Sequence, residues 1–175
     1  STVRARIVQD GLARLEMVGS FGEFRATESP LLTVPVPEMP WPEECPPRSP
    51  DDHGVVLHLE DHIETRLASV DAQNPAEISG WIRFRDGRDP DLLALTLFAD
   101  AFPPSIFRLS DKVGWIPTVE LTVHFRAEPS AGWVRGNFLT DDFRDGTLVE
   151  TGNLWDASGA LVARSRQLAL VLPRE

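Results

Sequence analysis

One segment of the sequence reads as a helix, and it has almost no polar side. Leu92, Leu93, Ala94, Leu95, Leu97, Phe98 and Ala99 run between Asp89-Pro90-Asp91 and Pro103-Pro104. Asp89 reads as an N-cap, Pro90 as the first helical residue and Asp91 as an acid in the first turn. That combination starts helices, because it satisfies free N–H groups and complements the positive end of the helix dipole. The two prolines end it, since neither can donate the next helical hydrogen bond. A helix that is apolar all round must be enclosed, so the remaining chain has to supply a sheet that curls around it.

The flanking sequence supplies strand patterns at 62–70 and 77–85, separated by a turn at Asn74-Pro75. Further patterns follow the helix at 118–127, 133–140, 147–155 and 161–172, with short turns between them. Strands joined by short turns pair antiparallel. Two strands, a helix and then a meander predict an α+β hotdog fold, a curved antiparallel sheet wrapped around a central helix. A closed barrel with a helical plug is the structural rival.

The first residues form a separate pattern. At 2–21, Val3, Ala5 and Ile7 alternate with Arg4, Arg6 and Val8 before the turn Gln9-Asp10-Gly11, which predicts a hairpin. A weak echo of it lies at 150–172, around Asp156-Ala157-Ser158-Gly159. The second hairpin closes a full unit of strands and helix, whereas the first has no such unit before it. A lone hairpin is marginal in water, so the first is expected to pair with a preceding segment. Between Thr27 and Asp52 lie eight of the 15 prolines. Proline removes ladder donors and fixes extended backbone, so this stretch is expected to be a linker, an ordered strap with Leu31, Leu32 and Trp41 tucked against the domains. The resulting division is 1–26 for the terminal hairpin, 27–57 for the proline-rich linker and 58–175 for the main domain.

Composition excludes some functions. The formal net charge of -10 over 175 residues argues against holding nucleic acid by neutralising phosphates. All 17 basic residues except Lys112 are arginine, so a bound anion would meet forked guanidinium groups, with Arg164 and Arg166 as chemically reasonable contacts. The single cysteine, Cys45, cannot form an internal disulfide, and this fits a cytoplasmic setting. No apolar run is long enough to cross a bilayer, and Asp100 interrupts the richest one at 92–102. No membrane or nucleic-acid partner is expected.

Three residues stand out for chemistry. Asp100 lies seven residues after Leu93 and three after Leu97, so it projects from the same stripe of the helix. Desolvation there would raise its pKa, as a general base requires. The competing reading is a carboxylate exposed where the helix ends. Gln167 alternates with Leu161, Ala163, Ser165, Ala169 and Val171, which puts an amide among small residues. It points either to a buried partner and room for a ligand or to a cross-strand bond that satisfies the core. Thr118 opens a strand whose apolar face is Val119, Leu121, Val123 and Phe125, and strict alternation puts it on the other face with Glu120, Thr122, His124 and Arg126. No Gly-x-Ser-x-Gly elbow occurs, and His53, His58, His62 and His124 lack a convincing serine partner or a completing ligand cluster, so no metal is expected.

Three strings carry a resemblance: Phe98-Ala99-Asp100-Ala101-Phe102-Pro103-Pro104, Pro117-Thr118-Val119-Glu120-Leu121-Thr122-Val123-His124-Phe125 and Leu161-Val162-Ala163-Arg164-Ser165-Arg166-Gln167. With the order of elements, they resemble the bacterial acyl-CoA thioesterase II family and its thioesterase-like superfamily relatives. The resemblance implies two hotdog units per chain, with this sequence as the second half of a double hotdog and 1–26 as the end of an incomplete first unit. It implies a catalytic set of Asp100, Thr118 and Gln167, an acyl-CoA substrate of fatty acid metabolism and hydrolysis by an activated water, with no cofactor. The amino-terminal hotdog half and a homo-oligomer are the implied partners. The family has an Asp-His pair after the threonine, where this chain has Glu120-Leu121. Two other activities are weighed beside hydrolysis: an enoyl-CoA hydratase that pairs Asp100 with His124, and a non-catalytic acyl-CoA-binding or assembly module.

Overall fold

The computed structural model describes residues 1–24, 30–48, 57–69, 74–109 and 113–173. His53, one of the histidines weighed as a ligand, lies outside them. The chain divides into two compact units, Ser1–Leu31 and Leu32–Glu175. In the first, β1 (Thr2–Gln9) and β2 (Leu12–Ser20) form the expected antiparallel hairpin. Asp10 and Gly11 turn it with φ of 53° and 76°. A two-residue hairpin turn needs both central residues in that left-handed region, where Asp and Gly are tolerated best.

The second unit is one antiparallel sheet of six strands: β3 (Ile63–Leu67), β4 (Glu77–Phe84), β5 (Thr118–Phe125), β6 (Val134–Arg144), β7 (Thr147–Trp155) and β8 (Leu161–Leu170). Their spatial order is β3-β4-β6-β7-β8-β5. The expectation that strands adjacent in sequence pair after the helix holds for β6, β7 and β8 and fails for β5. That strand leaves the helix end and pairs with β8, so the chain then crosses to lay β6 against β4. β6 also runs beyond its expected end, because Asp145-Gly146 makes a second turn with φ of 50° and 76°.

The helix α1 spans Leu92–Ala101, and its N-cap is Asp91 rather than Asp89. Asp91 Oδ1 accepts from the Ala94 N–H at 2.7 Å, while Asp89 accepts from the Gly132 N–H at 3.3 Å. Leu95, Phe98 and Ala99 are buried with Ile82, Val134, Leu154 and Val162 in the main core. The expectation of burial all round fails along one stripe, because Thr96 and Asp100 are exposed and Leu93 is 80% exposed. Past the helix, Phe102 packs over Gly136, where an added Cβ would lie 2.7 Å from the ring. Gly136 pairs with Gly80 across β4 and β6, so two strands lack side chains where the ring sits.

The proline-rich stretch from Leu32 belongs to the second unit, held by its backbone carbonyls. Trp81 Nε1 donates to Pro40 O at 2.9 Å and Trp155 Nε1 donates to Val34 O at 3.3 Å. Arg66 donates to Pro42 O at 2.8 Å, and Trp41 stacks on Trp81 with centroids 6.0 Å apart. Leu31, Leu32 and Trp41, expected to be tucked in, are exposed, because these carbonyl bonds fix an extended chain without needing its apolar side chains; Trp41 is 62% exposed despite its stacking. No described helix is long and apolar enough to cross a membrane.

Candidate active site

The three singled-out residues come from separate elements and meet. Asp100 sits in the last turn of α1, Thr118 is the first residue of β5 and Gln167 lies in β8. Thr118 Oγ1 donates to Asp100 Oδ1 at 3.0 Å, and Gln167 Nε2 donates to the same oxygen at 2.7 Å. Gln167 Nε2 also lies 2.7 Å from Thr118 Oγ1, which accepts from it. A carboxylate can only accept, so the glutamine must present its NH2 end. Among the described residues, the bonds to the carboxylate use Oδ1, and Oδ2 takes no part in them.

A bulge brings Thr118 into this group, against the expected alternation. Thr118 pairs with Ala169, while Glu120 pairs with Leu168, so Val119 is an extra residue opposite the β8 ladder. The phase of β5 therefore changes before Glu120, and Thr118 shares the helix-facing side with Leu121, the cross-strand partner of Gln167. Bulges re-aim side chains in this manner. From Glu120 onward the alternation holds. His124 pairs with Arg164 on the opposite face and is exposed, so no Asp100–His124 pair forms.

Burial is the largest influence on Asp100 and pushes its pKa above the ordinary carboxylate value, while the bonds from Thr118 and Gln167 oppose the rise. Part of the residue reaches solvent, but the carboxylate lies against β5 and β8, where water cannot hydrate it fully. The arginines proposed as anion contacts lie elsewhere. Arg164 donates to Asn153 Oδ1 at 3.0 Å, and Arg166 pairs with Asp141 at 2.7 Å, both on the outer face of the sheet. Among the described residues, no three His, Cys, Asp or Glu side chains form a metal-ligand group.

Sequence reasoning missed a buried polar group beside the three. Glu150 is only 5% exposed. Its Oε2 accepts from the Ser105 N–H at 2.8 Å and from Ser105 Oγ at 2.6 Å, with Thr140 Oγ1 at 3.3 Å. The signal was present: Glu150 alternates with Leu148, Gly152 and Leu154 on the inward side of β7.

The curved sheet around α1, with an acid at the helix end facing two strands, is the hotdog arrangement. A family profile described as the acyl-CoA thioesterase C-terminal domain matches residues 42–171. The chain belongs to that family. An uncharacterized protein of Mycobacterium tuberculosis is 35% identical over 163 residues, covering 82% of this chain and 52% of its own length. Among solved structures, a candidate thioesterase II from Thermobifida fusca YX is 32% identical with a TM-score of 0.83, covering 98% of this chain and 66% of that one. A hot dog fold protein of unknown function from Alicyclobacillus acidocaldarius aligns with a TM-score of 0.85 at 24% identity, covering 99% of this chain and 68% of its own, and shows the fold alone. The chain thus spans about half the length of the curated relatives it matches and about two thirds of the matched solved chains.

Proposed function

We propose that the protein is an acyl-CoA thioesterase that uses Asp100, Thr118 and Gln167 to activate a water. The observation that carries this reading is the convergence of Thr118 and Gln167 on Asp100 Oδ1, which anchors the carboxylate and, among the described residues, leaves Oδ2 for a proton. A base held through one oxygen keeps a fixed direction for the other, and positioning of this kind contributes much of the catalysis in hydrolysis. Water bound at Oδ2 gives up its proton as its oxygen attacks the thioester carbon. The tetrahedral intermediate then expels the CoA thiolate as the C–S bond breaks, and the proton held by Asp100 neutralises the thiolate. A carboxyl with a raised pKa suits both halves of that cycle, since it is a stronger base and still returns the proton.

Family membership supports a thioester substrate, and the exposed Leu93 beside half-buried Leu97 offers an apolar approach along the helix to Asp100 for an acyl chain. The residues 1–24 hairpin, with apolar and polar side chains exposed along both strands, fits the end of a preceding hotdog unit in a double-hotdog chain. The working molecule on this reading is cytoplasmic, includes that first unit and assembles as a homo-oligomer.

The test is release of free CoA by the full-length protein across a series of acyl chain lengths, beside Asp100→Asn and Gln167→Ala. Loss of about 100-fold or more in kcat for Asp100→Asn is the expected result. Full activity in both folded variants would overturn the assigned site, and tight acyl-CoA binding without turnover by the wild type would favour a binding module.

A further inference from the structure

Three strands carry a transverse row of polar side chains on the face that meets α1. Thr140 of β6 pairs with Glu150 of β7, and Glu150 pairs with Gln167 of β8. Directly paired residues project from the same face with their Cβ atoms roughly 5 Å apart. Glu150 is therefore the immediate neighbour of the amide that holds Asp100. On its other side it is bonded to Ser105, in the single 3-10 turn Ser105–Arg108 that follows the proline break after α1. Ser105 Oγ also accepts from the Thr140 N–H at 2.8 Å, so the segment five residues beyond Asp100 is stitched to the sheet at this point.

Such a cluster is expensive in a core, and an apolar residue would fill the space at lower cost. The charges that face Glu150 are few. From α1, Asp100 acts on it as a like charge. From the 3-10 turn, Arg108 is bonded to Glu77 O; from β4, Glu77 is bonded to Asn137 on the outer face. From β8, Arg166 is paired outward with Asp141 of β6, and from β5, Glu120 is bonded to Thr122 on the outer face. Among the described residues, no cation is bonded to Glu150. Burial pushes its pKa up, opposed by the bonds from Ser105 and Thr140, and the Asp100 charge raises it further.

We propose that Glu150 is a positioning residue of the thioesterase site, a second acid that ties the segment after α1 to the strand row bearing Gln167 and is electrostatically coupled to Asp100. Two carboxylates on one side of a poorly hydrated sheet do not ionise independently. When Asp100 is charged, Glu150 holds its proton more firmly. When Asp100 has taken the proton of the attacking water, the opposition is relieved. The Asp100 charge therefore favours the protonated form of Glu150 and opposes a second carboxylate charge beside Gln167 while Asp100 serves as the base. This role rests on the proposed function for its catalytic meaning, but the coupling itself does not.

Two measurements on the full-length protein separate these. Carboxyl carbon NMR of selectively labelled Glu150 is followed against pH in wild type and Asp100→Asn, which removes the charge at the helix end. The Glu150 midpoint is expected to move to lower pH in the variant, and an unchanged midpoint overturns the coupling whether or not the protein hydrolyses acyl-CoA. In parallel, Glu150→Ala is expected to lower kcat for acyl-CoA hydrolysis about tenfold or more while KM stays within about twofold, the mark of a group that serves the transition state and not substrate affinity. Glu150→Gln, which keeps an acceptor for Ser105 without the charge, is expected to recover most of that kcat. An active wild type whose Glu150→Ala variant matches it in kcat refutes the positioning role; an inactive wild type whose Glu150 midpoint falls in Asp100→Asn refutes the thioesterase reading alone.

Discussion

Asp100 joins two facts that usually oppose each other, a carboxylate fixed by donors and a carboxylate whose pKa is raised. A raised folded-state pKa means that the folded chain binds the proton more tightly than the unfolded chain. The associated stability is therefore complete below the unfolded carboxylate pKa and is lost as pH rises through the folded value. Asp100→Asn escapes that loss. At about pH 7 it is expected to unfold at a higher temperature than wild type while hydrolysing acyl-CoA far more slowly, and the gap in melting temperature should close near about pH 4. Calorimetry at the two pH values checks this, and an Asn variant less stable at both would contradict the electrostatic account. Asp100 and Gln167 were legible in the sequence because each breaks an apolar pattern. Thr118 was legible only through resemblance, since strict alternation put it on the wrong face. Glu150 broke its pattern as visibly, but a lone acid in a strand says nothing of the serine, 45 residues earlier in the chain, that binds it.

Among the elements, α1 was legible in extent and the sheet was legible in its strands. The place of β5 was not. Short turns imply neighbours, yet the connection from β5 to β6 carries the chain from one edge of the sheet to a strand beside β4. That choice is made by closure around the helix, a long-range condition that local periodicity does not contain. Packing beyond the helix end adds a steric condition. The Phe102 ring lies tilted by 32° against Phe138, with centroids 4.8 Å apart, over the paired Gly80 and Gly136. Gly136→Ala would put a methyl 2.7 Å from that ring, too close for real contact. Phe102 is two residues from Asp100, so the strain falls on the site as well as the core. The variant is expected to lose about 1–3 kcal/mol of stability, the usual cost of overpacking, and part of its activity. Urea titration and CoA release measure the two effects. Gly136→Ala combined with Phe102→Leu should recover some of the stability, because the smaller side chain vacates the contested space.

At the scale of the molecule, the acids with shifted pKa values pull in opposite directions along the pH axis. Asp100 and Glu150 are raised, so they cost stability above the carboxylate range. Glu64 and Asp156 behave oppositely. Burial alone would raise both, but Arg83 and Arg66 outweigh it at Glu64, and hydrogen bonds from Ser158, Ser130 and Ala160 outweigh it at Asp156. Asp156 closes the β7–β8 turn: its Oδ1 accepts from the Ser158 N–H, Ser158 Oγ and the Ala160 N–H, and its Oδ2 accepts from the Ser130 N–H at 2.9 Å. One side chain thus fixes the hairpin that delivers Gln167 and ties it to the loop before β6. Its folded-state pKa is lowered, so its contribution is present above the unfolded value and disappears as pH falls through the folded one. Asp156→Ala is expected to cost about 1–3 kcal/mol near neutrality, because it removes the shared acceptor of the Ser158, Ala160 and Ser130 N–H groups in a partly buried turn. The cost relative to wild type should shrink once the medium is acidic enough to protonate Asp156 in the folded protein. Urea titrations of both proteins from neutral to strongly acidic pH test the sign, and a penalty that stays constant across that range would show that the turn depends on the shape of Asp156 and not on its charge.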